Sequence, residues 1–223
     1  MGKNKFKFVI PNIYDILLAL IGVSLCGIGV GFANCALLGL DSIGILYDGI
    51  RNVLGFSSDM LGVASFIVSG IILIFLFFAS RKYVSLGTLI YTIGYGSFVT
   101  VGILIYEAVI SENTMVVRII FSIVGYLLLY IGIGIYVAID IGVDAFTGIV
   151  LYLADITHIE MKYVKIVFDV ILIIIGALLG GTLGAASFIT TVVAGPLINL
   201  FTKKFQSLYF KFKLKKLKNK KIN

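Results

Sequence analysis

Six apolar runs, each long enough to bridge a bilayer, occupy most of this 223-residue chain. A helix rises about 1.5 Å per residue, so roughly 20 apolar residues cross about 30 Å of hydrocarbon. The runs extend from about Ile13 to Leu37, Met60 to Ala79, Gly87 to Ile110, Met115 to Ile139, Tyr163 to Gly180 and Gly184 to Phe201. With 60% hydrophobic and only 13% charged residues, the chain has too little polar surface to cover this apolar area in water. The expected fold class is therefore an all-α integral membrane protein with six transmembrane helices in a single membrane domain, residues 1–223. The apolar run after the N-terminal Met-Gly-Lys-Asn-Lys-Phe-Lys stretch is too long for a typical signal-peptide core, and an uncleaved anchor is expected.

Charge predicts the orientation. With a cytoplasmic N terminus, the inner segments hold Lys3, Lys5, Lys7, Arg81, Lys82, Lys162, Lys165 and nine lysines between Lys203 and Lys221, whereas Arg51 and Arg118 lie outside. Sixteen of eighteen basic residues on one side is a strong positive-inside bias, so both termini are expected in the cytoplasm. The net charge of +7 sits mainly in the tail, which points to anionic inner-leaflet lipids and not to nucleic acid. Phe201, Phe205, Leu208 and Phe212 recur at helical spacing among those lysines, predicting a basic amphipathic tail over residues 202–223 that lies on the leaflet.

Two segments, Asp41 to Leu54 and Asp144 to Asp155, are helical in pattern but too short to span, and each opens on an aspartate at an N-cap position. They anchor an internal repeat: an offset of 103 places Gly29, Gly31, Gly39 and Asp41 over Gly132, Gly134, Gly142 and Asp144. Each half, about 12–110 and 114–201, reads as long span, short helix, span, span. Three crossings per half require the second half to insert upside down, the inverted-topology plan of many secondary transporters.

The Gly-rich end of the first run, the Gly39-Leu-Asp41-Ser turn, the Gly-Phe-Ser-Ser-Asp-Met-Leu-Gly62 stretch and the Arg81-Lys82-Tyr-Val-Ser-Leu-Gly87-Thr88-Leu junction together resemble the bacterial YczE/YyaS/YitT family. The resemblance covers the chain up to about Gly102. It implies a multi-pass protein of the bacterial cytoplasmic membrane with a transport role and no settled substrate.

Asp41 and Asp144 read either as helix caps or as ligands for a cation, an amine or a coupled proton, because an ionisable group at membrane depth is costly and marks function. Asp140 lies four residues before Asp144 and shares its face if the helix continues; the alternative is an exit into a polar loop. Asp169 has Lys165 four residues away, giving a structural ion pair or a site acid. Asn34 is expected in an interhelical hydrogen bond or a ligand contact. Glu107 and Arg118 are expected to pair across the outer loop. Tyr47, Tyr91, Tyr95, Tyr126, Tyr130 and Tyr136 are candidates to line a cavity. Gly27 and Gly31, and Gly176, Gly180 and Gly184, have the four-residue spacing of close helix packing. Cys26 and Cys35 fall within one run and read as packing residues.

The function expected is a secondary transporter or permease of a small, partly apolar or cationic solute. The alternative is a non-transporting membrane partner, either the substrate-capture subunit of an ATP-driven transporter or an accessory protein of another membrane enzyme. A homo-oligomer or a partner subunit suits either reading. No enzyme activity, cofactor or metal is expected: His158 is the sole histidine, there is no H-E-x-x-H or paired Cys/His cluster, and an aspartyl pair of Asp140 or Asp144 with Asp169 is the only catalytic set on paper.

Overall fold

Each apolar run becomes a helix because a backbone in lipid must satisfy its own N–H and C=O groups. The computed structural model describes residues 11–220, with side chains described to residue 211, and contains eight α-helices and no strand among them. They are α1 (Ile13–Ala36), α2 (Ser42–Val53), α3 (Leu61–Ala79), α4 (Leu86–Val109), α5 (Met115–Ile139), α6 (Ala145–Thr157), α7 (Met161–Leu178) and α8 (Ala185–Lys220). Short 3₁₀ turns precede α3 at Ser58–Met60 and α4 at Arg81–Tyr83. Polar side chains set several starts. Ser85 Oγ accepts from the Thr88 amide while Thr88 Oγ1 accepts from the Ser85 amide, each at 3.2 Å, opening α4 with a reciprocal cap. Thr114 caps α5 by accepting from Val117 N at 3.4 Å.

Five helices, α1, α3 with its leading 3₁₀ turn, α4, α5 and the first part of α8, are long and apolar enough to cross a membrane. By length and composition the chain is thus a multi-pass membrane protein. α7, expected as the fifth of six spans, does not join that set: its 18 residues include Lys162, Lys165 and Asp169. The two half-length segments form α2 and α6 at the expected places. Outward-facing positions such as Ile71, Phe78, Ile123, Val192 and Leu178 are exposed and apolar, as lipid contact requires.

The centre is an antiparallel crossing of α1 and α5. Gly22 faces Gly132 and Gly29 faces Gly125; a Cβ at Gly29 would stand 2.4 Å from the Gly125 carbonyl oxygen, and one at Gly125 2.5 Å from that of Gly29. Between these contacts the Cys26 thiol donates to the Leu129 carbonyl at 3.6 Å. α4 lies parallel to α1, on Gly27, Gly31 and Gly102, and α8 packs on α5 where Gly134 admits Phe201. α2 runs along α7, Gly49 meeting Gly176, and α6 lies on α3, with Gly148 against Leu76.

The turns after α1 and α5 are built alike. Leu37 and Asp140, 103 residues apart, both take left-handed backbone angles (φ +53° and +56°), and Gly39 and Gly142 follow at φ +111° and +154°. In each turn the glycine is needed twice, for its positive φ and because a Cβ would strike the start of another helix: Ser187 Oγ and Gly184 N for Gly39, Ser85 Oγ for Gly142.

Four expectations change here. The left-handed Asp140 ends α5, so Asp140 and Asp144 share no helix face. α7 stops at Leu178, so Gly180 lies in a turn (φ +84°) and Gly184 beyond it against the Leu38 carbonyl; only Gly176 of that trio packs helix on helix. Arg118 does not meet Glu107: its guanidinium donates to the carbonyls of Ala36 and Leu37 at 2.6 and 2.7 Å, placing a cation at the negative end of α1. The tail is no separate element but the unbroken extension of α8, tied back where Tyr209 donates to Asp15 Oδ1 at 2.8 Å. Lys3, Lys5, Lys7, the Phe212 side chain and the lysines beyond Lys211 lie outside the described residues.

Candidate functional site

The turn after α1 delivers Asp41 to the start of α2, beside the middle of α7. There Ser42 Oγ donates to Asp169 Oδ1 at 2.9 Å, and Lys165 pairs with the same oxygen at 2.5 Å. Asp169 is thus the structural ion pair that its spacing from Lys165 suggests, with Ser42 added by the fold. Asp41 is different. Its Oδ1 is buried and has no hydrogen-bond partner; the carboxylate faces the amides of Asp41 and Gly44 without capping the helix. An N-cap geometry without the capping bond leaves the buried Oδ1 without a hydrogen bond, an exception among buried polar atoms.

Asp144, its counterpart at the offset of 103, does cap: Oδ2 accepts from Thr147 N at 3.0 Å. The two sequence readings of these residues therefore separate, cap at Asp144 and open carboxylate at Asp41.

Tyrosines fill the space between them. Both aspartates lie within electrostatic reach of the Tyr47 and Tyr95 hydroxyls. Tyr91 and Tyr136 are within reach of Asp144, and Tyr126 and Tyr130 of Asp41. Tyr91 stacks on Tyr95 with centroids 5.4 Å apart and meets Tyr136 edge-on at 5.1 Å; Tyr47 meets Phe146 edge-on at 5.6 Å. The aromatic cluster thereby joins α2, α4, α5 and α6. Tyr47 hydrogen-bonds Ser69 at 2.7 Å and Tyr126 donates to the Gly39 carbonyl at 2.7 Å, but the buried hydroxyls of Tyr130 and Tyr136 have no partner. Polarisable ring faces, spare hydroxyls and one open carboxylate favour a cation or a polar donor over an anion.

Other singled-out residues fall elsewhere. Asp140 is exposed at the end of α5. Asn34 is buried and donates to the Ser58 carbonyl at 3.3 Å, tying α1 to the turn before α3. Gly27 and Gly31 hold the α1–α4 contact, and Cys26 and Cys35 are free thiols.

Sequence reasoning missed two aspartates. Asp48 is 1% exposed; its Oδ1 pairs with Arg51 at 2.8 Å, and its Oδ2 accepts from Thr182 N at 2.8 Å and from Thr182 Oγ1 at 2.6 Å. Arg51 also donates to the Phe56 carbonyl and Asn52 Oδ1, while Asn52 Nδ2 donates to the Gly180 carbonyl. This network clamps α2 to the α7–α8 turn, and the three-residue spacing of Asp48 and Arg51 was the available signal. Asp15 accepts from the Asn12 amide as well as from Tyr209, and nothing in the local pattern names that distant tyrosine. On α6, Asp155 takes bonds from Lys82 and Tyr83, which together hold its carboxyl below the usual range.

Residues 13–203 match the model of DUF6198, a family of unknown function. No curated protein and no solved structure matches the chain.

Proposed function

The chain belongs to the DUF6198 family, and we propose that it is a secondary transporter or permease of the bacterial cytoplasmic membrane, built from two inverted repeats and moving a small, partly apolar or cationic solute. The observation that carries this reading is the buried Asp41 Oδ1, which lacks a hydrogen-bond partner and lies within electrostatic reach of Tyr47 and Tyr95 where the two halves meet. An ionisable side chain at membrane depth with an unsatisfied oxygen is costly and marks function, and a cation or hydrogen-bond donor on a ligand would satisfy that oxygen.

The packing supports the repeat. At an offset of 103, the contact of Gly22 with Gly132 maps onto that of Gly125 with Gly29, and Cys26 maps onto its own acceptor, Leu129. Exchange of partners follows the same rule: α1 with α4 as α5 with α8, and α2 with α7 as α6 with α3. In this arrangement α7 is the fifth of six spans, its Lys165 and Asp169 neutralising each other. α2 then begins at mid-depth, because Ser42 meets Asp169, the ninth of the eighteen residues of α7. Kinship with the YczE/YyaS/YitT proteins belongs to the same proposal, as does contact of the basic end of α8 with anionic inner-leaflet lipid.

Orientation is open to a direct test. In a cysteine-free background, a single cysteine at Lys82 should resist a membrane-impermeant thiol reagent in intact cells, while one at Asn52 or Asn113 should label. Labelling of position 82 from outside reverses the topology.

The site is tested by a thermal-shift screen of small solutes on the purified protein, since a specific binder stabilises the folded state by mass action. For a binder so found, Asp41→Asn should weaken affinity by about tenfold or more, roughly 1.4 kcal/mol. Asp144→Ala should instead lower stability by about 1 kcal/mol through loss of the cap. Normal binding by Asp41→Asn moves the site elsewhere. Uptake into liposomes by the chain alone supports transport; uptake only with an added ATPase supports a capture subunit.

A further inference from the structure

α8 is the least covered of the five apolar spans. One side of it faces α5 and the core through Ala186, Thr190, Leu197 and Phe201. At about 3.6 residues per turn, Phe188, Val192, Gly195 and Asn199 fall on the opposite side. Phe188 is 67% and Val192 74% exposed, Asn199 is exposed, and nothing lies within 4 Å of where a Cβ on Gly195 would stand. Their spacing, four, three and four residues, is that of the a and d positions along a seam between two helices.

Asn199 is out of place on such a surface. α8 runs parallel to α5: a groove lined by residues of 122–130 and 186–197 precedes the contact of Gly134 with Phe201. Gly132, two residues before Gly134, faces Gly22, so Asn199, two residues before Phe201, is level with Gly22. Gly22 is the tenth of the 24 residues of α1, about 14 Å along that helix from its first residue and about 21 Å from its last. At that depth no water serves a carboxamide, and the Asn199 amide has no hydrogen-bond partner among the described residues. The hydroxyls of Ser24, Ser97 and Thr191, by contrast, each donate to a carbonyl of their own helix, at 2.8, 3.2 and 2.8 Å. Pro196, inside α8, has no N–H, so the Val192 carbonyl also lacks its donor four residues on. A bare amide in lipid is costly, and a hydrogen bond to a neighbouring helix relieves it.

The chemistry of Asn199 selects the neighbour. Copies of one chain insert with one orientation, so two α8 helices meet in parallel, and a two-fold axis sets each residue on the seam against itself. A carboxamide carries both donor and acceptor and is complementary to the same residue of a second copy. Gly195 lets the two backbones approach, and Val192 and Phe188 fill the seam beyond it. Lys203 and Lys204, exposed one turn past Asn199, part the helices by like charge at the seam's end.

We infer that the outer face of α8 is the interface of a parallel homodimer, in which the α8 helices of two copies cross at Gly195 and their Asn199 amides hydrogen-bond to each other within the membrane. This interface is independent of the proposed transport role.

The test is made on the full chain in membranes. In a cysteine-free background, Val192→Cys should give a disulfide-linked dimer on mild oxidation, while Ile71→Cys, at an outward position of α3, should not. Fluorophore-labelled parent chain in liposomes should show energy transfer between copies that falls on dilution with lipid. Asn199→Leu and Gly195→Leu should each weaken association by about tenfold or more without lowering the melting temperature of the monomer, because neither site has a partner within its own chain; Asn199→Gln should retain association. A parent chain that stays monomeric at every dilution, cross-linking at position 71 as strong as at 192, or undiminished association of Asn199→Leu overturns the interface. A different protein cross-linked at position 192 in place of a second copy overturns the homodimer.

Discussion

Leucine in place of Gly29 should destabilise the fold strongly, while leucine in place of Gly70 should purify and melt like the parent chain. At Gly29 a Cβ would meet the Gly125 carbonyl oxygen at 2.4 Å and the Leu129 amide at 2.8 Å, both backbone atoms that cannot rotate away. Relief would require α1 and α5 to separate, yet α1 is held on another side by α4, where a Cβ on Gly27 or Gly31 would stand 2.8 or 2.6 Å from the α4 backbone. Overpacking a core typically costs about 1–3 kcal/mol, and a clash of two backbones belongs at or beyond the top of that range. Against a total stability of about 5–15 kcal/mol that is a large loss. At Gly70 nothing lies within 4 Å of where a Cβ would stand, so a side chain can leave the backbone there without a clash. Gly125→Leu and Gly132→Leu should behave like Gly29→Leu, because they touch the same crossing from the other side. Size-exclusion profiles and melting curves check this, and a monodisperse Gly29→Leu variant with the parental melting temperature would refute the crossing.

The second large effect is expected at Asp48. Asp48→Ala removes the acceptor of the Arg51 guanidinium and of both Thr182 donors, leaving the Thr182 amide and a largely buried cation short of partners. Breaking one side of a buried ion pair costs about 3–5 kcal/mol, so a melting temperature lowered by many degrees is expected. Arg51→Met should cost less, because the orphaned carboxylate retains two bonds from Thr182. The double variant Asp48→Leu with Arg51→Met should recover part of the loss, since an apolar pair has no charge to desolvate. Lys82→Met provides the contrast. Its ion pair with Asp155 is about half exposed, at 55% and 53%, and exposed pairs contribute about 0–1 kcal/mol. Equal destabilisation by Asp48→Ala and Lys82→Met would show that the Asp48–Arg51–Thr182 clamp is not a buried network.

Asp41 and Asp144 illustrate how far spacing can be followed. The sequence marks both as N-caps with the same offset and the same preceding glycine, and the backbone is indeed the same at the two turns. Whether a carboxylate completes the capping bond depends on a rotamer set by its neighbours, and Asp41 has Ser42, Lys165 and Asp169 nearby. Asp140 shows the opposite failure. A four-residue spacing to Asp144 implies a shared face only while the helix lasts, and a left-handed residue at Asp140 ends it. Lys165 and Asp169 were legible because an i, i+4 pair lies within one helix, whereas Arg118 chose the end of α1 over Glu107 for reasons no local pattern contains.

The amino-acid sequence by itself determined the solvent and the elements: apolar run lengths dictate helices that satisfy their own backbones in lipid, and the aspartates and glycines at an offset of 103 mark where two half-length helices begin. These follow from interactions within a few residues. Tertiary structure decided which glycines touch, how α2 finds α7, and why Asp48 is clamped while Asp41 Oδ1 has no hydrogen bond. Each of those depends on atoms brought together from more than a hundred residues apart or from separate helices, and only packing of the whole chain sets such distances.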